Sequence, residues 1–204
     1  MSFITLILAA AVLGGAAGND DNLQTLNSWL NNVLESMTVK IRPQKVVRIE
    51  DENVQKAFPD DHFYSISFAT WPVAPRLPKE LSHETLVRIR PDGAIEPIRN
   101  EAELKSFLAQ SLTAIQDEKQ AATAGLASLR LISAVANAAS SPFEKPDVSV
   151  VKQGKDFIAT ARAAAAAPAR GEVEVQLQFG ADGKTTPESI KTDDRSRRGP
   201  PGGR

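Results

Sequence analysis

Glu172-Val173-Glu174-Val175-Gln176-Leu177-Gln178-Phe179 alternates polar and apolar side chains without exception. A period of two places Val173, Val175, Leu177 and Phe179 on one face of a strand and the glutamates and glutamines on the other. Such a sheet packs one face on a core and shows the other to water. Gly180-Ala181-Asp182-Gly183 then reads as a turn, and a last short strand is expected near Ser189-Ile190. Upstream, residues 148–151 and 157–163 are further strand-like runs separated by Gln153-Gly154-Lys155. The alanines at 163–167 read as the end of an alanine-lined strand, because no long helix fits between the flanking strands.

The same pattern occurs earlier in the chain. Val87-Arg88-Ile89-Arg90 runs into Pro91-Asp92-Gly93, so residues 86–90 and 94–98 are expected to form a hairpin. Residues 62–71 place Tyr64, Ile66 and Phe68 on one face of a half-buried strand ended by Trp71-Pro72. Pro72, Pro75 and Pro78 make residues 72–79 an extended loop, since proline cannot donate to a ladder. Residues 38–49, interrupted by Pro43, suggest two short strands.

Helical spacing appears in three places. Leu23, Leu26, Leu30, Val33, Leu34 and Met37 predict an amphipathic helix over 22–37. Asn100-x-x-Glu103 is a variant capping box, and Asp117 with Gln120 forms a second cap, which together predict helices over 101–115 and 118–138. The second carries Leu126, Leu129, Ile132, Val135 and Ala136 on one face and is alanine-rich elsewhere. Residues 140–146 read as a linker. The expected class is α+β, a mainly antiparallel sheet packed against an N-terminal helix and a central helical pair. The body spans 19–190, as one domain or as subdomains 19–139 and 147–190.

From residue 191 onward no apolar residue except proline occurs, so 191–204 is expected to be a disordered tail. Lys191 and four arginines against Asp193 and Asp194 leave this tail at +3 and residues 1–190 at −4, within a total of −1 over 204 residues. That balance gives no clustered basic footprint, and nucleic acid is not expected as a partner. The first 18 residues carry no charge. An apolar run over 3–13 is followed by small residues and then Asn19-Asp20-Asp21-Asn22, the pattern of a signal peptide cleaved near Gly18. The run is shorter than the about 20 residues a membrane-spanning helix needs, so no span is expected after cleavage.

Absent residue types narrow the chemistry. The chain has no cysteine, which excludes disulfide scaffolds, thiolate metal sites and thiol nucleophiles, and with only His62 and His83 a multi-histidine metal site is impossible. No Gly-Lys-Ser/Thr phosphate loop, Gly-x-Ser-x-Gly elbow or His-Glu-x-x-His motif occurs. No cofactor is expected. Asp60-Asp61-His62, and His83 beside Glu84, are expected to be solvated turns ahead of strands. Lys40, Arg42, Arg48, Arg88 and Arg90 form a cationic stripe if their strands are neighbours. Trp71, beside a proline-rich loop that includes Arg76, is the sharper recognition candidate.

A helix followed by antiparallel strands is similar in outline to the cystatin-like arrangement. Gln44-Lys45-Val46-Val47-Arg48 and Trp71-Pro72 resemble the two loops that cystatins present to proteases. Arg48 stands where the first of those loops has glycine, and the helices over 101–138 have no place in a cystatin, so the family is not assigned. The expected function is that of an exported, non-enzymatic protein binding a protein, peptide or anionic envelope polymer, with Trp71, Arg76, Arg88 and Arg90 as its surface. The alternatives are a hydrolase using Asp60, Asp61 or Glu84, and a carrier of a small apolar ligand.

Overall fold

A computed structural model of the chain describes residues 21–35, 37, 41–69, 76–113, 115–135, 143–165 and 171–194. Over these, the elements in order are α1 (Asp21–Glu35), β1 (Lys45–Arg48), α2 (Glu52–Ala57), β2 (His62–Ser67), β3 (Glu84–Ile89), β4 (Ile95–Ile98), α3 (Glu101–Ser111), α4 (Glu118–Val135), β5 (Phe143–Gln153), β6 (Asp156–Ala165), β7 (Gly171–Phe179) and β8 (Thr185–Asp194). The class is α+β. The strands form two antiparallel sheets, β1-β2-β3-β4 and β5-β6-β7-β8, each a simple meander. The expected signal peptide at 1–18, and the tail from 195 onward, lie outside the described residues.

The first sheet is covered on both faces. Leu26 and Leu30 of α1 pack against Tyr64, Ile66, Val87 and Ile89 on one face, as the spacing of both elements predicts. The other face presents Phe63, Leu86 and Ile98 to the helices. β2 is therefore buried on both sides rather than half-buried. Phe58, Phe63 and Phe107 meet there with ring centroids 5.3 to 5.8 Å apart.

The second sheet buries Val173, Val175, Leu177 and Phe179 and turns Glu174, Gln176 and Gln178 outward, as the alternation predicts. Against its inner face lies α4. This helix is buried around most of its circumference, through Ala121, Ala124, Gly125, Ala127, Ser128, Leu129, Leu131, Ile132, Ser133 and Ala134. The single apolar stripe expected from its leucines is therefore too narrow a description. A Cβ on Gly125 would lie 3.4 Å from Ala159 Cβ and Val148 Cγ2 and 3.6 Å from Ala161 Cβ. Small residues on both partners let α4 sit close to β5 and β6. Its other sides meet α2 and the first sheet, and one core runs from Ile49, Phe63 and Leu86 to Val175 and Phe179.

Local chemistry explains the ends of the elements. Asn100 Oδ1 caps α3 by accepting from Glu103 N at 3.0 Å, while Glu103 Oε2 accepts from Arg99 N at 2.8 Å. The α4 cap repeats this, with Asp117 Oδ1 accepting from Gln120 N at 2.7 Å and Gln120 Oε1 from Gln116 N at 2.8 Å. The two Asp-Gly turns join the third and fourth strands of their respective sheets. Gly93 and Gly183 have φ of 78° and 79°, which glycine adopts without penalty, and Asp92 and Asp182 each accept from the backbone two residues on.

Several expectations need correction. Lys45–Arg48 is strand β1 paired with β2, so the segment resembling a cystatin loop is not a loop, and β1 is the only strand among the described residues of 38–49. Helix α2 was not anticipated; Asp51 caps it, accepting from Asn53 N and Val54 N. α3 ends at Ser111, short of the expected 115, whereas α4 is described as far as Val135 and its expected end at 138 lies outside the described residues. β5 begins at Phe143, inside the expected linker, with a register shift beside Pro146. β8 continues through Lys191–Asp194, the first residues assigned to the tail. Main-chain pairing with β7 requires no apolar side chains there, and Lys191 Nζ reaches Glu174 Oε1 at 3.0 Å.

The close seating of α4 predicts a size limit at residue 125. Gly125→Ala should fit at ordinary contact distance and raise stability by up to about 1 kcal/mol through helix propensity. Gly125→Leu should lower it by about 1–3 kcal/mol through overpacking. Urea denaturation of the two variants measures both, and a Leu variant as stable as the Ala variant would contradict the interface.

Candidate functional site

The inner face of the first sheet changes character along its strands. At one end Phe63 pairs with Arg88; at the other, Lys45 of β1, Ser67 of β2 and Glu84 of β3 form one cross-strand row. Neighbouring strands lie about 4.8 Å apart, so Lys45 and Glu84 stand about 10 Å apart with Ser67 between them. Arg130, Ser133 and Ala134 of α4 close over this row, leaving a cleft of about 40 Å³ also lined by Val47, Ile49 and Ser65. That volume admits a few heavy atoms.

The start of β3 is held in place locally. Thr85 Oγ1 accepts from Ser82 N at 2.9 Å and donates to Ser82 O at 3.1 Å, while Ser82 Oγ bonds Glu84 O. Arg99, paired with Glu103, donates to Lys79 O and so ties down the preceding loop. Glu84 therefore enters the cleft from a fixed backbone. Its Oε2 is buried with no hydrogen-bond partner among the described residues. Burial pushes its carboxyl up to about 7, against a smaller opposing influence from Lys45. Arg130 Nη1 donates to Ser133 Oγ at 3.2 Å, and Ser133 Oγ donates back to Arg130 O at 2.5 Å. The cleft thus holds two cations, three serine hydroxyls and one carboxyl that titrates near neutrality.

The residues named from sequence are placed elsewhere. Trp71 lies outside the described residues, as does Lys40 of the proposed stripe. Arg76 is exposed in the segment before β3, and Arg90 is exposed and paired with Asp92 at 2.8 Å. Arg88 faces the helices, with its Nε 2.9 Å from Asp61 Oδ2, its Nη1 3.0 Å from Glu96 Oε2 and its guanidinium 5.1 Å from the Phe107 ring centre. Arg48 projects to the opposite face of the sheet, where it meets His62. The strands are neighbours, but alternation separates Arg48 from Arg88, so the two do not share a stripe.

The carboxylates divide as well. Asp60 is exposed in a turn, whereas Asp61 is drawn inward by Arg88 and is not a solvated turn residue. Glu84 and His83 are also partly buried, contrary to expectation. Asp61 precedes His62, which pairs with Ile89, five residues along β3 from Glu84, a separation of about 17 Å. Sequence reading missed Lys45, Ser65, Ser67, Arg130 and Ser133. One trace was available: Arg130 is the sole charged residue between Ala121 and Val135.

Among the described residues no group of three or more potential ligands is placed to hold a metal ion, and no helix is long and apolar enough to cross a membrane. Comparison with family models, curated proteins and solved structures finds no match to this chain.

The raised Glu84 carboxyl has a consequence for stability. The folded protein holds this proton more tightly than the unfolded chain, whose carboxyl titrates near the ordinary 4.5. Stability from Glu84 is therefore full below about pH 4.5 and is lost as pH rises to about 7. Glu84→Gln removes that loss. Discounted for the partial exposure of the group, the variant should gain about 1–2 kcal/mol on the wild type between pH 5 and pH 8. Denaturation at the two pH values measures it, and parallel pH profiles would contradict the assignment.

Proposed function

We propose that the chain is an exported, non-enzymatic α+β protein that binds a partner protein, peptide or anionic envelope polymer by seating an acidic group in the cleft between the first sheet and α4. The observation that carries this reading is the convergence of Lys45 and Arg130, with three serine hydroxyls, on a cleft whose single carboxyl is partly neutral at pH 7. Neither cation has a carboxylate in ion-pair contact among the described residues, so both can meet an anion. The volume suits one small group, which fits anchoring of a larger partner lying outside. Export rests on the uncharged, apolar residues 1–18.

A second reading, a carboxylate-dependent hydrolase, is favoured by one observation: Glu84 titrates near neutrality, where a general acid or base works best. Asp60 and Asp61 stand too far away to assist it.

Binding of a fluorescein-labelled hexaglutamate peptide, followed by anisotropy at low salt, tests the first reading. Lys45→Glu and Arg130→Gln should each weaken binding by about tenfold, the size of one lost charge-assisted contact. Arg76→Glu with Arg90→Glu should have a smaller effect. Unchanged binding in the Lys45 and Arg130 variants would overturn the cleft as the site. Turnover of generic ester or glycoside substrates that disappears in Glu84→Gln would establish the hydrolase instead.

A further inference from the structure

We infer that the cleft takes its acidic group as a carboxylate of an extended peptide, and that one proton is taken up with it and held on Glu84. This rests on the reading above that the cleft receives an acidic group. The groups facing Glu84 are Lys45 from β1, Ser67 from β2, and Arg130 and Ser133 from α4. His83 precedes β3 and is not among the residues that line the cleft.

An ionised Glu84 cancels one of the two cations and sets its own oxygens against those of an entering carboxylate. Protonation of Glu84 changes the balance. Its carboxyl then supplies an O–H donor from an atom that has no hydrogen-bond partner among the described residues. The entering carboxylate accepts that hydrogen bond while Lys45 and Arg130 neutralise its charge. The raised proton affinity of Glu84 makes this proton available close to neutral pH. No bond is made or broken; a proton from solvent moves onto Glu84 as the ligand enters.

Two features favour a peptide over a polysaccharide. A cleft of about 40 Å³ admits a carboxylate but not the sugar ring that carries a uronic acid. Lys45 and Val47 of β1 line the cleft, and β1 has a strand partner on one side only among the described residues, so an extended peptide can pair along this edge while one acidic side chain turns inward.

The test measures hexaglutamate binding between pH 6 and pH 9, where the peptide stays ionised, with calorimetry in two buffers of different ionisation enthalpy to count protons. Wild type should weaken by about tenfold per pH unit above pH 7, with uptake approaching one proton. Glu84→Gln should bind with little pH dependence and no proton uptake. Wild-type binding without proton uptake, or the same uptake in Glu84→Gln, would overturn the inference and leave the acidic-group reading intact; the second result would pass the proton to His83 or His62. Proton-linked binding of oligogalacturonate but not of hexaglutamate would overturn the peptide assignment. Failure of wild type to bind either probe at any pH would overturn the acidic-group reading itself.

Discussion

The contact between Gly125 and the alanines of β6 sets the spacing of the whole molecule. A Cβ at position 125 would lie only 3.4 Å from Ala159 Cβ and Val148 Cγ2, so α4 lies close against the second sheet. A larger residue at 125 would lift the helix away and open the core that Val173, Val175 and Leu177 share with it. The opposite side of the same helix covers the first sheet. The abundance of alanine along α4 is what allows two sheets to approach one helix.

The candidate site follows from that arrangement. The first sheet presents an aromatic end, where Arg88 is held by Asp61, Glu96 and Phe107, and a polar end, where Lys45, Ser67 and Glu84 form a row. α3 supplies Phe107 to the aromatic end, and the last turns of α4 bring Arg130 and Ser133 over the polar end. The position of those two side chains is therefore fixed by packing on the second sheet, although the second sheet contributes nothing to the cleft lining. Its own outer face is crossed by the Arg162–Glu174–Lys191 ion pairs and also carries the exposed Val151 beside Ile158.

Much of the fold was legible in the sequence where one face of an element meets water. β7 and α1 carry such contrast and their core faces were read correctly, whereas in β3 Val87 and Ile89 were read as core but the opposite face, with Leu86 and Arg88, is covered as well. Both helix caps were legible because capping chemistry is local. α2 was hidden because its six residues bury only Val54 and show no period. The last residues of β8 were hidden because an outer strand can be held by its backbone alone. The two-sided burial of α4 was hidden because alanine marks neither face. The cleft could not be read at all: its members, at 45, 65, 67, 84, 130 and 133, meet only through strand register and helix docking. Arg88, by contrast, looked like surface because its partners Asp61 and Glu96 are distant in sequence and its face was not fixed by pattern.

That α4 binds both sheets into one cooperative unit is tested most directly by native-state hydrogen exchange in increasing urea, resolved to peptides of β2 and β3 in the first sheet and β6 and β7 in the second. A shared core requires the slowest amides of both sheets to merge into a single opening, with the same free energy and the same urea dependence. If the second sheet opens at lower urea while β2 and β3 stay protected, the two sheets are separate units and α4 does not join them.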